Sequence, residues 1–310
     1  MSLSRHINEG PFQFNGHETF PLRQLWLSKV ARLINESKPV KGVLDLSTEE
    51  AIVALGVGKN MCSAIRFWAD ACGVIDGTSM KLTKYGRLIY GDEEHEGLDP
   101  CTANITTQWF VHWRLASTPD RFTPIWYLFN AVTAPTLDRE TFRSSLDEFV
   151  STSGRKVAAG SIKRGVEVTL RSYAPKMTGK GHMEDFIEPL LADLELIVPQ
   201  SRDVFSFHRG TQPTLPDALF AFALLEFWAK LEHQTSSLDF SRIAFDYGSP
   251  GKVFKLDADG VNDRLSRIAD VTDEALIWTE QAGLKQVVRR GAALERSDDF
   301  KMALLRKAYA

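Results

Sequence analysis

No stretch of this chain approaches the roughly 18 apolar residues that a bilayer-crossing helix needs. Even Leu215 to Leu231 is interrupted by Asp217, Glu226 and Lys230. Met1 to Gly10 offers no apolar core of a secretory signal, so the expected location is cytoplasmic. Cysteine is scarce: Cys62, Cys72 and Cys101 make an odd set without a Cys-x-x-Cys pair, which argues against a disulfide framework and a thiolate zinc site. Proline is sparse too, at 13 residues, which leaves long segments free to be helical. The formal net charge of −3 over 310 residues selects no partner by itself.

What is present reads as a mainly α protein with small β-hairpins: an N-terminal winged helix-turn-helix, a helical region, and further winged-helix-like units. Apolar residues recur mostly at three- and four-residue intervals. From Pro21, the residues Leu22, Leu25, Trp26, Val30, Leu33 and Ile34 fall on one helical face, ending before Pro39. Ser47-Thr48-Glu49-Glu50 reads as a capping box with Ser47 as N-cap, opening a helix through Leu55. Gly56 to Gly58 then breaks the chain. A second helix, Lys59 to Cys72, gathers Met61, Ala64, Ile65, Trp68 and Cys72 on one face. After Gly73, the segments Val74-Ile75, Asp76-Gly77 and Lys81-Leu82-Thr83 followed by Tyr85 to Tyr90 read as a hairpin. Helix, glycine turn, helix, hairpin is the order of a winged helix-turn-helix.

Beyond the acidic run Asp92 to Asp99, read as a solvated linker, helices are expected over Asn104 to Ala116, Pro124 to Val132, Leu137 to Val150 and Val157 to Tyr173. Leu196 to Pro199 and Val204 to Phe207 suit paired strands. A third approximation to this order has helices over Leu215 to Leu231, Leu238 to Phe245 and Val253 to Ala269, a turn at Gly248 to Lys252 and a strand at Ala275 to Trp278. The expected domains are 1–97, 98–210 and 211–310. Apart from the Gly58-Lys59 and Gly251-Lys252 turns, no residue-level repeat accompanies them.

Three groups of residues could carry function. The outer face of the Lys59 to Cys72 helix presents Lys59, Ser63, Arg66 and Asp70: the first three suit DNA phosphates or a guanine edge, while Asp70 would be repelled by a duplex. The alternative is a protein-contacting face with Arg66 and Asp70 paired one turn apart. The segment Arg155 to Lys180 holds Arg155, Lys156, Lys163, Arg164, Arg171, Lys176 and Lys180 against the single acid Glu167. It suits either salt-sensitive phosphate binding or an ordinary solvated helix. In Phe14-Asn15-Gly16-His17-Glu18-Thr19-Phe20-Pro21-Leu22-Arg23, His17 and Glu18 could serve as general base or metal ligand, with Arg23 offsetting charge. The local alternative is that Thr19 or Glu18 caps the next helix and His17 bonds a backbone group.

Several enzyme signatures fail. Gly58-Lys59 lacks the earlier glycine and the following Ser or Thr of a P-loop, and Gly56-Val57-Gly58 lacks the third glycine of a dinucleotide loop. No His-Glu-x-x-His occurs. Glu36-Ser37-Lys38 and Asp299-Phe300-Lys301 have an acid-x-lysine form, in helical contexts without an evident strand partner.

Gly16-His17-Glu18-Thr19-Phe20-Pro21-Leu22-Arg23, with Leu55-Gly56-Val57-Gly58-Lys59-Asn60-Met61, Ile65-Arg66-Phe67-Trp68, Trp113-Arg114-Leu115-Ala116-Ser117 and Ala282-Gly283-Leu284, resembles a bacterial domain-of-unknown-function family. That family is found in phosphorothioation and phage-defence islands and includes the DNA-nicking component of the Ssp system. The resemblance covers nearly the whole chain. It implies a nick that opens the DNA backbone for sulfur insertion, with a cysteine desulfurase, a phosphoadenosine-phosphosulfate-reductase-like protein and an ATPase as partners. The resemblance assigns no catalytic residues; joined to the residue readings above, it makes His17, Glu18 and Arg23 the expected nicking centre, with Mg²⁺ or Mn²⁺, and Lys59, Ser63, Arg66, Lys163, Arg164 and Arg171 the expected contacts to duplex DNA. A non-enzymatic DNA-binding adaptor or transcriptional regulator needs only the winged helix. A protein-interaction scaffold would need no DNA.

Overall fold

The computed structural model describes residues 11–36, 46, 48–92, 94–174, 189–231, 235–281, 283–291 and 297–310. Helices dominate, joined to small antiparallel sheets. Near the N-terminus α1 (Trp26–Glu36), α2 (Glu49–Leu55) and α3 (Lys59–Ala71) precede the hairpin β1 (Ile75–Asp76) and β2 (Lys81–Leu82). Helix α1 begins later than expected, because Arg23 is drawn into an antiparallel bridge with Pro189. The expected N-cap Ser47 lies outside the described residues. Thr48 caps α2 instead, its hydroxyl accepting from the Ala51 N–H at 3.2 Å. Gly56, left-handed at φ 66°, closes α2 by donating to the Ile52 and Val53 carbonyls, and Gly58 opens α3. Of the expected apolar face of α3, Ala64, Ile65, Trp68 and Cys72 are buried against α1 and the core, Met61 is only partly buried, and Cys62 is buried as well.

The hairpin is shorter than expected, since Tyr85 to Tyr90 belong to a helix, α4 (Lys84–Tyr90). Thr83 causes the switch. Its hydroxyl accepts from the Gly86 N–H at 3.1 Å while donating to the Gly73 carbonyl at 2.5 Å. Gly86 lies so close to the Val74 carbonyl that a Cβ would come within 2.1 Å of it, so the turn into α4 needs a glycine. Nor is the acidic run uniformly solvated. Asp99 is buried, accepting from the Ala103 and Asn104 N–H groups and the Thr107 hydroxyl, and so prepares the start of the next helix.

That helix, α5 (Ile105–Ala116), is buried almost all round and is followed by α6 (Thr123–Asn130). Its polar side chains are all engaged. His112 Nδ1 meets the Tyr173 hydroxyl at 2.7 Å and Nε2 the Val253 carbonyl at 2.8 Å. Only the neutral ring can donate to the carbonyl and accept from the hydroxyl, and burial holds its pKa down at about 3. The Trp113 indole and the Arg114 guanidinium converge on Glu226, which also accepts from the Tyr85 hydroxyl.

Beyond α6, β3 (Thr136–Asp138), α7 (Arg139–Thr152), α8 (Ala159–Tyr173), β4 (Ile197–Pro199) and β5 (Val204–Phe207) form one unit, its sheet ordered β3-β5-β4. The buried α9 (Asp217–Ala229) leads to a second unit: β6 (Ser237–Asp239), α10 (Phe240–Phe245), α11 (Pro250–Val253), α12 (Ala258–Ser266), α13 (Ile268–Val271), β7 (Leu276–Gln281) and β8 (Leu284–Arg289). Its sheet order, β6-β8-β7, repeats the first. Each begins with a strand that the sequence periodicity had merged into the following helix. Asp138 marks one junction: its carboxylate accepts from the Thr141 N–H at 2.8 Å.

Two further expectations change. Gly251 is no turn residue but lies inside α11, packed so tightly that a Cβ would approach Ala244 Cα at 2.6 Å. The expected helix from Val253 to Ala269 is broken at Lys255, whose φ is 53°. Helix α14 (Asp298–Ala308), which contains Asp299-Phe300-Lys301, packs on α9. One continuous apolar core runs from Phe14 to Ala308. Among the described residues no helix is long and apolar enough to cross a membrane.

Candidate nucleic-acid interface

The loop Phe14–Phe20 is wedged between α3 and α8, two elements whose polar faces suggested DNA contact. Gly16, at φ 107°, lies against Phe67 of α3, where a Cβ would come within 2.6 Å of the ring. The Trp68 indole donates to the Phe20 carbonyl at 3.0 Å, and Gln13 exchanges backbone and hydroxyl hydrogen bonds with Thr123. From α8, Arg171 donates to the Thr19 carbonyl at 3.3 Å. Gly165 lets α8 approach Pro124 and Phe14 closely. The loop is thereby held from three sides.

His17 is 2% exposed, edge-on to the Phe67 and Phe122 rings. Its Nδ1 accepts from the Thr19 N–H at 3.0 Å, so Nε2 carries the proton and donates to the Phe14 carbonyl at 3.1 Å. Both ring nitrogens are spent on the loop's own backbone. Burial, with a smaller contribution from the nearby Arg164 cation, lowers its pKa to about 4. The histidine half of the local alternative is what the structure shows, His17 shaping the turn by bonding backbone groups, whereas the next helix starts only at Trp26 and takes no cap from Thr19 or Glu18.

The shaping has a conformational cost, one that Asp273 and Glu274 also bear elsewhere in the chain. Glu18 and Thr19 adopt left-handed φ angles of 47° and 67°, although neither is glycine. Consecutive non-glycine residues in that region persist only where surrounding contacts impose them, and they concentrate at functional sites. Both are exposed. The Glu18 carboxylate therefore projects from a strained, firmly clamped tip beside α8. Arg23 is elsewhere: it is 5% exposed, stacks on Phe20 and Trp26, and lines a groove of about 470 Å³ with Lys29 and Gly56 to Gly58. The three residues expected at one centre therefore divide into a positioning residue, an exposed carboxylate and a cation buried under the glycine turn.

Lys59, Ser63 and Arg66 are exposed on α3, and Lys163 and Arg164 on α8, with Arg171 partly exposed. Lys176 and Lys180 lie outside the described residues. Arg66 and Asp70 act together, though through Gly77 rather than as the ion pair of the protein-contact alternative. Arg66 donates to the Gly77 carbonyl at 2.7 Å and Asp70 accepts from the Gly77 N–H at 3.1 Å, fastening the hairpin turn to α3. Glu167, the one acid of the basic segment, is paired with Arg139 at 2.5 Å. That leaves the outward face of α8 cationic next to the Glu18 loop.

The two histidines give a pH prediction. Each is held neutral in the fold, with a pKa below the ordinary 6.5, whereas the unfolded chain binds the proton. Their contribution is complete above pH 6.5 and is lost as pH falls towards their folded values of about 4 and about 3. Urea titrations should show stability declining by about 1.4 kcal/mol per pH unit for each buried histidine below that point. His112→Gln and His17→Gln should each flatten the slope.

Fold and surface together define a mainly helical protein with a cationic face organised around a carboxylate-tipped loop. The chain belongs to the family described as Protein of unknown function (DUF4007), which matches residues 14–309. No curated protein matches it significantly. Its fold is similar to those of two SspB crystal structures, one of them magnesium-bound. Each is 24% identical, with a TM-score of 0.78 over 95% of this chain and 87% of that one.

Proposed function

We propose that this chain nicks one strand of DNA in support of phosphorothioate modification. Family membership and the fold shared with SspB support a part in that system. The observation that carries the nicking step is the clamped, strained loop that exposes Glu18 beside the guanidinium groups of α8. A carboxylate there would take the proton from a water attacking the phosphorus, the P–O bond to one sugar would break with its oxygen taking a proton from solvent, and Arg164 and Arg171 would balance the charge building on phosphate. The helix–glycine turn–helix–hairpin order and the two repeated strand–helix–strand units support three winged-helix modules, within 1–97, 98–210 and 211–310. Lys59, Ser63 and Arg66 of the first would hold the duplex, with Lys163, Arg164 and Arg171 adding phosphate contacts. A cysteine desulfurase, a reductase-like protein and an ATPase are the partners of this reading, in the cytoplasm.

Among the described residues no three His, Cys, Asp or Glu side chains are grouped as a metal cage requires. The donor set does not fit a protein-enclosed Mg²⁺ or Mn²⁺. The engaged nitrogens of His17 favour a second reading in which the protein recruits modification partners to DNA without cutting it.

Supercoiled plasmid incubated with the protein in Mg²⁺, in Mn²⁺ and in chelator distinguishes the two. Open-circular product supports nicking, whereas intact plasmid with salt-sensitive binding supports the adaptor. Under either reading, Arg164→Ala with Arg171→Ala should reduce the steepness of log affinity against log salt by about 2, roughly 0.9 for each phosphate no longer neutralised. Fluorescence anisotropy on a duplex checks it, and an unchanged slope would remove α8 from the interface.

A further inference from the structure

A second cavity, of about 280 Å³, lies away from the Glu18 loop, between the two three-stranded units. One wall comes from Val132 to Pro135, Phe207 and Arg209, and the other from Ala244, Phe245, Lys252 and Lys255. Its lining holds three cations and no carboxylate.

Lys255 is the unusual member. It is 9% exposed, and its ammonium sits 4.3 Å from the centre of the Phe207 ring and 5.6 Å from that of Phe129. An ammonium has three protons to donate. Its one protein acceptor among the described residues is the Val132 carbonyl, at a long 3.5 Å. A buried ammonium without a counter-charge is costly. The backbone there is strained as well, Lys255 being left-handed at φ 53° where the chain leaves α11. Lys252 lies over the Tyr247 ring at 4.0 Å, and Arg209, also in the lining, spends its Nε on the Leu256 carbonyl at 3.2 Å.

We propose that this cavity binds a tetrahedral oxyanion, the phosphate of a monoester, with Lys255 as its buried contact and Lys252 and Arg209 at the rim. A dianion would supply the counter-charge that the protein withholds and accept the unspent donors. The apolar wall of Ala134, Pro135 and Phe245 leaves room for a small body attached to the phosphate. The volume is too small for a large cofactor. The source is either a free monoester or the phosphorylated end of a nucleic-acid strand.

The charged and titratable groups around Lys255 are Arg209 and Lys252 at the cavity, His112 on its buried side and Asp246 near Lys252. His112 is neutral throughout the working range. Burial, then Arg209 and Lys252, lower the Lys255 pKa to about 7, so the empty site carries its full charge only in mild acid. An anion whose own charge is constant should therefore bind more weakly as pH rises.

Calorimetry with sulfate, which does not titrate in this range, and with a nucleoside 5′-monophosphate tests the site. Saturable 1:1 binding is expected, weakening about tenfold for sulfate between roughly pH 6 and 8, and at least about tenfold in Lys255→Met. Arg209→Met, which leaves the buried lysine in place, should weaken binding to a lesser degree. Circular dichroism establishes that both variants fold. A 5′-phosphorylated oligonucleotide that sulfate displaces, against an inert 5′-hydroxyl one, would assign the site to strand ends. Binding of the mononucleotide alone would assign it to a free monoester. No saturable binding of any of these probes, or undiminished affinity in Lys255→Met, overturns the proposal.

Discussion

Replacing Glu226 by alanine should destabilise the protein by about 3 kcal/mol or more, among the largest single-residue effects expected in this fold. Glu226 is the one charged residue of α9 after Asp217 at its first position, with a side chain only 12% exposed, facing Arg114 at 15% and 3.2 Å away. Its Oε2 also accepts from the Trp113 indole at 2.8 Å and its Oε1 from the Tyr85 hydroxyl at 3.1 Å. One carboxylate thus joins α4, α5 and α9. Burial by itself would raise its pKa, but Arg114, Lys230 and the two hydrogen bonds outweigh it and leave the pKa below the ordinary carboxylate value. The sign follows: the stabilisation is present above that ordinary value and is lost as pH falls through the folded one. Removing the acid strands the Arg114 cation, the indole N–H and the tyrosine hydroxyl together. Urea denaturation of Glu226→Ala, Arg114→Met and the double variant should show the double costing less than the sum, because it leaves no buried charge unpaired. Additive losses would mean that the ion pair contributes nothing beyond its separate contacts.

The same residues show what the sequence could and could not reveal. Trp113-Arg114-Leu115-Ala116-Ser117 reads as helical from its neighbours, and α5 is where expected, but nothing local couples Arg114 to a glutamate on α9. Elements with strong periodicity, α3 and α8 above all, emerged nearly at their observed bounds. The three-residue strands β3 and β6 did not, since each runs without a break into a helix and gives no alternation long enough to register. Tyr85 to Tyr90 looked like strand because aromatic residues favour sheets. The helical spacing of Tyr85, Leu88 and Ile89 and the capping Thr83 were the signals to weigh against that.

At the candidate sites the limit was burial. His17 and Glu18 are adjacent and chemically eligible, yet one is sealed by Phe67 and Phe122 and the other is exposed, a difference set by residues far along the chain. The Lys255 cavity was missed because a lysine within an apparent helix reads as solvated. Its flanks, Val253-Phe254 before and Leu256 after, were the available hint that this ammonium is pulled inwards.

Under the nicking reading, Glu18→Gln should lower the rate of open-circular product by about 100-fold or more, the usual worth of a general base in its transition state. Duplex affinity should be unchanged or slightly higher, since a negative charge leaves a cationic face. The substitution suits the test because Glu18 is exposed and its side chain makes no hydrogen bond among the described residues, so folding is not at stake. The strained backbone is retained, being imposed by Gly16, His17 and Arg171 rather than by the carboxylate. His17→Gln provides the contrast. It should relax the loop and lower thermal stability along with nicking, and its pH–rate profile should keep the shape of the unsubstituted protein, because His17 supplies no proton. Wild-type nicking by Glu18→Gln would remove the loop from the chemistry. A His17→Gln profile that loses a limb would return the histidine to the role of base.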